Sequence, residues 1–494
     1  MMTQQALKKY LWGAATLLRG LIDGGDYKQY IFPLLFFKRI CDVYDEEYQN
    51  ALKESSGDLK FAAFAENHRF QIPKGAHWNH VRENTKNVGV TIEKAMRQIE
   101  KANPDTLFGI FGDAQWTNKD RLSDETLINL LEHFSSEILS IKNVPNDELG
   151  QGYEFLIKKF ADDSGHTAAE FYTNRTVVQL MTLIVGPKSG ESIYDPTCGS
   201  GGMLLSCVNK LKTDGKEYRS LKLYGQELNL MTSAIARMNM FLHGIEDFKI
   251  VRGDTLKHPA FLERDKLKQF NIILANPPYS IKQWNRAEFE KDPYGRNIYG
   301  TPPQGTADYA FQQHIIKSLD EKNGRCAILW PHGILFRDAE VDMRKKMIES
   351  DVVEAVIGLG PNLFYNAPME ACVLVCNKGK KKDRREKILF INAVNEVKRE
   401  SAFSYLTADH IDKIHKAFVG YKDIDDFAKV MSVKVVLANS GNMAIPLYVN
   451  AQGNRKTDKT EISLGTLLKN WQKKSDSLRK DLADMISDLS VEMK

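Results

Sequence analysis

Apolar and polar positions follow three successive patterns along this chain. From residue 1 to about 145, apolar side chains recur at helical spacing and strand signals are few, which predicts an all-helical N-terminal domain. Its most apolar run, residues 31–37, falls far short of the roughly 20 residues a membrane span needs. Lys28, Lys38 and Arg39 flank that run, so it predicts a buried helix. From 146 to about 395 short apolar runs alternate with helical stretches, which predicts an α/β domain. Strands are predicted at 192–195, 222–226, 248–251, 270–275, 326–330, 352–357, 371–376 and 388–392. That count suits a Rossmann-like seven-stranded sheet with one strand added. The third pattern lies in the C-terminal region, 396–494. Over about 462–492, Leu464, Leu468, Trp471, Leu478, Leu482, Met485 and Leu489 fall on alternating four–three spacing, interrupted at Ser475. A heptad stripe predicts a helix that packs on a partner helix, or on this chain's own helical domain.

Composition adds bounds. The 494 residues allow two to four domains, and 43% hydrophobic residues allow ample cores. A net charge of +4 is weakly basic, less than expected of a protein that holds DNA unaided. The six cysteines form no CxxC pair, so no metal site is expected, and reduced thiols are the default. Cys372 and Cys376 share a predicted strand and read as core. The opening residues lack a secretory pattern, and a cytoplasmic protein is expected. The charged run 378–385 reads as a hairpin turn.

Candidate chemistry collects at the strand ends. The strand at 270–275 runs into Asn276-Pro277-Pro278-Tyr279. Asn276 precedes proline, so its backbone is biased to extended geometry. Its side-chain carbonyl and the carbonyl of Pro277 can accept the two N–H groups of a planar amine, with Tyr279 stacked on the ring behind. An aromatic amine is a poor nucleophile, because its lone pair is delocalised. Two fixed acceptors favour a more tetrahedral nitrogen with a freed lone pair.

The first strand ends at Asp195 and leads into Pro196-Thr197-Cys198-Gly199-Ser200-Gly201-Gly202, then an apolar helix from Met203. This is the opening of a nucleotide-type α/β unit, without the third spaced glycine of the dinucleotide fingerprint. Asp195 sits where a pyrophosphate would need positive potential, which points away from NAD and towards a cationic ligand such as S-adenosylmethionine. Glu227 ends the second strand and can accept two ribose hydroxyls. Asp254 follows the third and can accept from an adenine amino group.

With these motifs the chain resembles the amino-methyltransferases that modify adenine in DNA. More narrowly, it resembles the modification (methyltransferase) subunit of type I restriction–modification systems. The further carriers are Asp26-Tyr27-Lys28-Gln29-Tyr30-Ile31-Phe32-Pro33-Leu34-Leu35-Phe36-Phe37-Lys38-Arg39 and Ala169-Glu170-Phe171-Tyr172-Thr173-Asn174-Arg175. The resemblance implies that Glu170, Phe171, Tyr172, Thr173, Asn174 and Arg175 fold over the methionine end of S-adenosylmethionine. Asn174 departs from the proline common there. It also implies an adenine-specific N6 DNA methyltransferase whose target base leaves the duplex. The implied partners are DNA, a specificity subunit shared by two modification subunits, and a motor–nuclease restriction subunit. No target-recognition region and no Gly-x-x-x-x-Gly-Lys-Ser/Thr loop is evident, so neither site choice nor translocation is expected of this chain. Two other readings stand beside this one: a protein glutamine methyltransferase using the same Asn-Pro-Pro-Tyr, and a non-catalytic assembly subunit. The polar, aromatic segment 281–304, with Trp284, Arg286, Tyr294, Arg296 and Tyr299, reads as a base-enclosing or DNA-contacting loop. Phe364 or Tyr365 is the candidate aromatic against the target base.

Overall fold

A computed structural model describes residues 2–163, 173–363, 370–400 and 404–449, together with 471–472, 475–476 and 478–479. Two compact units divide the chain, Met1–Asn450 and Ala451–Lys494. Glu170, Phe171, Tyr172, Phe364, Tyr365 and most of the heptad positions lie outside the described residues. Of the heptad stripe, Trp471 and Leu478 are described, and both are exposed.

The first unit begins with helices and continues as one nine-stranded sheet. The helical part is built on helix Tyr27–Glu54, in which every residue from Tyr30 to Cys41 is buried. That is the expected fate of an apolar run too short to span a membrane. Among the described residues, no helix is long and apolar enough to cross one.

In chain order the sheet strands are β1 (Ser192–Asp195), β2 (Lys222–Glu227), β3 (Phe248–Arg252), β4 (Ile272–Ala275), β5 (Arg325–Pro331), β6 (Val353–Leu359), β7 (Ala371–Asn377), β8 (Lys387–Ala393) and β9 (Ala428–Ser432). Their spatial order is β9-β8-β6-β7-β5-β4-β1-β2-β3. Strand β1 pairs in parallel with both β2 and β4, while β7 is antiparallel to both of its neighbours. Eight strands fall where expected. The ninth, β9, comes from beyond residue 395 and lies antiparallel against β8 at the sheet edge.

Both faces of the sheet are covered. Ile272 and Leu274 of β4 join one buried cluster with helices Arg175–Val185, Gly202–Thr213 and Ala408–Gly420. Ile273 and Ala275 of the same strand join the opposite cluster with helix Asp308–Lys317. A strand buried on both faces needs apolar residues at every position, which explains its unbroken run.

The run 378–385 is not a hairpin. Its flanking strands, β7 and β8, both pair with β6 and lie on either side of it. Arg384 is buried, donates to Glu354 Oε1 at 2.9 Å and lies 4.4 Å from the centre of the Tyr421 ring. Lys380 pairs with Asp351 at 2.6 Å. These cations serve packing at the connection.

The helical part docks on helix Leu230–Leu242, which follows β2. Met231, Ala234, Ile235, Met238 and Leu242 belong to the helical core cluster. Phe241 packs against Phe36 and Phe70 at ring distances of 6.1 and 5.2 Å. Arg237 donates to the carbonyls of Thr106 and Phe108. This docking brings the start of helix Tyr27–Glu54 over the sheet's carboxyl edge.

Candidate functional site

The strand order reverses between β1 and β4. In open α/β sheets a ligand crevice lies at the carboxyl ends of the strands at such a point. Asp195 ends β1 and Asn276 follows β4, so the chain places a carboxylate and an amide side by side there.

The Gly-rich turn has defined geometry. Gly199 and Gly201 take φ of 51° and 78°, values that disfavour side chains with a Cβ. A Cβ on Gly202 would meet an Arg175 nitrogen at 2.0 Å, so a side chain there would displace that guanidinium. Arg175 is held by Glu154 of the helical part at 2.7 Å. Asn239 donates to the Ser200 carbonyl at 2.9 Å.

Asp195 is buried, and one of its oxygens accepts the Thr197 N–H at 3.0 Å. Burial pushes its carboxyl up to about 8, the charge of Glu227 adds to this, and the Thr197 N–H opposes it. The Thr197 hydroxyl is buried and has no hydrogen-bond partner among the described residues. Glu227 reaches back to the turn. Its two oxygens accept the N–H groups of Gly199 at 3.0 Å and Asn229 at 2.9 Å. One Asp254 oxygen accepts the N–H groups of Leu256 and Lys257 at 2.9 and 3.0 Å.

On the other side of the crevice, Asn276 donates to Thr173 Oγ at 3.1 Å and accepts from the Tyr279 hydroxyl. The Tyr279 ring lies 6.1 Å from the Trp330 indole. Asn174 caps helix Arg175–Val185 through the Thr176 N–H, the work of a polar N-cap that proline could not do.

These groups share one crevice. A cavity of about 1700 Å³ is lined by Pro196, Thr197, Glu227, Asp254 and the whole Asn276–Pro277–Pro278–Tyr279 loop. A smaller recess beside it is lined by Thr173, Arg175, Asp195, Gly199, Ser200, Gly202 and Asn276. Lys28, Gln29 and Asp113 reach the large cavity from the helical part. Lys28 and Gln29 are signalled in sequence only by the resemblance, and Asp113 by nothing.

The segment after the loop forms the opposite wall through Trp284, Phe289, Tyr294 and Arg296. Arg296 is buried. It donates to the carbonyls of Thr255 and Leu256 at 2.9 and 2.7 Å and pairs with Asp292 at 2.6 Å. Phe289 and Tyr294 flank its guanidinium. Tyr299 is buried as well, with its hydroxyl 2.9 Å from Ser350. Two of the five residues expected in a base- or DNA-facing loop therefore fasten the segment down.

Comparison with known proteins decides the family. A profile described as N-6 DNA Methylase matches residues 144–457, and one described as HsdM N-terminal domain matches 7–134. The chain belongs to the N-6 DNA methylase family. It is 29% identical to the MpnII type I restriction enzyme methylase subunit of Mycoplasma pneumoniae, over 99% of this chain and 97% of that one. It is 30% identical to the MjaVIII methylase subunit of Methanocaldococcus jannaschii, over 88% and 76% of the two chains. Among solved structures, a type I restriction-modification system methyltransferase subunit from Streptococcus thermophilus superposes with a TM-score of 0.79. That match has 29% identity and covers 91% of this chain and all of the other. A modification subunit of a type I restriction enzyme from Vibrio vulnificus shares the fold at 18% identity and a TM-score of 0.64.

S-adenosylmethionine fits the crevice on this chain's own features. A buried carboxylate suits its positive charge, an unpartnered buried hydroxyl offers a hydrogen bond, and the glycine turn admits close approach. Glu227 and Asp254 stand in sequence beyond, at the strand ends suited to a ribose and an adenine.

Proposed function

We propose that this chain transfers the methyl group of S-adenosylmethionine to the exocyclic N6 amine of adenine in DNA, as the modification subunit of a type I restriction–modification complex. One observation carries the reading: Asn276-Pro277-Pro278-Tyr279 and the acidic strand ends open onto one crevice, in a chain with both family domains in order. Asp195, Pro196, Thr197, Gly199, Ser200, Gly201 and Gly202 hold the methionine part with Thr173, Asn174, Arg175 and the preceding Glu170, Phe171 and Tyr172. Glu227 takes the ribose and Asp254 the adenine. The bound donor supplies an electrophilic methyl group.

The catalytic loop binds and orients the acceptor. Asn276 Oδ1 and the Pro277 carbonyl accept hydrogen bonds from the two N–H groups of the amine, and Tyr279 supports the base plane. Asn276 Oδ1 holds the Tyr279 hydroxyl in this structure, so an arriving amine exchanges one hydrogen bond for another. A specificity subunit chooses the DNA site, two modification subunits flank it, and a motor–nuclease subunit completes the restriction complex. The helix at about 462–492 supplies a contact for the specificity subunit. We place the protein in the cytoplasm.

Tritiated methyl transfer to DNA and to protein, with and without a co-expressed specificity subunit, tests the reading. Label should enter DNA, and chiefly with the partner present. Label confined to protein would replace this function with the protein-methylating one. No transfer despite donor binding would favour an assembly role.

A further inference from the structure

Helix Asp308–Lys317 lies behind the catalytic loop and holds it from two directions. Ser280 directly follows Tyr279 and takes φ of 52°, a left-handed value unusual for a residue with a side chain. A strained turn keeps its shape only where its surroundings over-determine it. Here the Ser280 N–H donates to Asp308 Oδ1 at 2.8 Å, and Asp308 is fully buried. The other Asp308 oxygen accepts from Arg337. Arg337 also donates to Thr306 Oγ at 3.2 Å, and its Nε lies 3.4 Å from buried Glu340. Its backbone carbonyl accepts from buried Arg344 at 2.9 Å.

One turn further along, Gln312 accepts the Trp330 indole N–H at 2.8 Å, and Trp330 packs on the Tyr279 ring. The same helix therefore fixes the backbone just past Tyr279 and the ring beneath it.

Two buried acids and two guanidinium groups are a costly way to fill space. Apolar residues of similar volume often stabilise a fold as well or better. What a charged acceptor adds is a short, directional hold on one N–H group. Resting on the function proposed above, we propose that Asp308, braced by Arg337, is a positioning residue for methyl transfer. It sets the exit of the catalytic loop, and so the aim of Asn276 and Tyr279 at the target amine. It touches neither donor nor base.

The test uses the modification complex assembled with its specificity subunit. Asp308→Asn keeps the shape and one acceptor but loses the charge that Arg337 braces. Arg337→Gln removes the brace from a half-exposed site, and Arg337→Lys restores part of it. For Asp308→Asn and Arg337→Gln, single-turnover methylation per donor-binding site should fall about 10- to 100-fold, as for a misplaced reacting group. S-adenosylmethionine affinity should stay within about twofold of wild type, since neither Asp308 nor Arg337 lines the large cavity or the donor recess. Arg337→Lys should recover part of the rate. Wild-type rates per site in both variants, even with lowered melting temperature, would show that the network only stabilises the fold. A rate loss matched by lost donor binding would equally overturn the positioning role. If the wild-type complex itself failed to methylate DNA, both this inference and the function it rests on would fall.

Discussion

Replacing Glu227 with alanine should weaken donor binding at least about 100-fold, a figure that follows from the acceptor capacity of the carboxylate. An ionised carboxylate offers about four lone-pair directions. Two serve the backbone, holding the N–H groups of Gly199 and Asn229. The ribose hydroxyls take others. Hydrogen bonds to a charged acceptor contribute roughly 1.5–3 kcal/mol each, so losing both costs about 3 kcal/mol at the low end. Each 1.4 kcal/mol is about tenfold in Kd, which gives about 100-fold or more. The backbone partners add a second effect. Without Glu227 the Gly-rich turn loses one of its two ties to β2, keeping the Cys198 N–H bond to the Gln226 carbonyl, so the thermal midpoint should fall as well. Glu227→Gln keeps one acceptor but turns an NH₂ towards an N–H donor, and should fall between wild type and alanine. Titration calorimetry on the purified chain reads both constants. Affinity of the alanine variant within about threefold of wild type would remove Glu227 from the ribose site.

Other expectations follow from the same geometry. Asp195 sits at about 8 in the free protein through burial, so near pH 7 it is mostly protonated. A cationic donor favours the carboxylate, so binding should release a proton below pH 8, and affinity should rise with pH up to about 8 before levelling. Calorimetry at pH 7 in buffers of different ionisation enthalpy would expose the proton, and its absence would contradict the pairing. Tyr279→Phe or Tyr279→Trp should retain more methylation than Tyr279→Ala, because a ring survives; equal loss in all three would assign the role to the hydroxyl that Asn276 holds. Truncation before Leu464 should spare donor binding but weaken co-purification with the specificity subunit and lower DNA methylation. Full partner binding without the tail would confine the stripe, including exposed Trp471 and Leu478, to packing within the chain.

The sheet was largely legible because its central strands are buried on both faces and several strands end in chemically distinctive residues. Strand β4 is apolar at every position and stops at Asn276, so period and motif agree. Strand β9 was not legible. It is an edge strand, with Lys429 exposed between buried Ala428 and half-buried Val430, and its pairing with β8 is a long-range fact. The run at 378–385 misled for a similar reason: adjacency in sequence suggested a hairpin, but β6 lies between the flanking strands. Arg296 illustrates the limit for single residues. A cation in a polar, aromatic loop reads as a base or DNA contact, yet the carbonyls of residues 255 and 256 bind it in the interior. Asp292, four residues earlier, was the one local hint. The hold of Asp308 on Ser280 and of Thr173 on Asn276 joins residues 28 and 103 positions apart, beyond the reach of local pattern.

The central claim is that the Asn276–Tyr279 loop, fed by the acidic crevice, methylates the adenine amine. Nucleoside analysis of DNA after incubation with labelled S-adenosylmethionine and the assembled complex tests it most directly, with Asn276→Ala run in parallel. The account predicts label in N6-methyladenine alone, lost in the variant while donor affinity persists. Label in another base, or undiminished N6-methyladenine from Asn276→Ala, would contradict it.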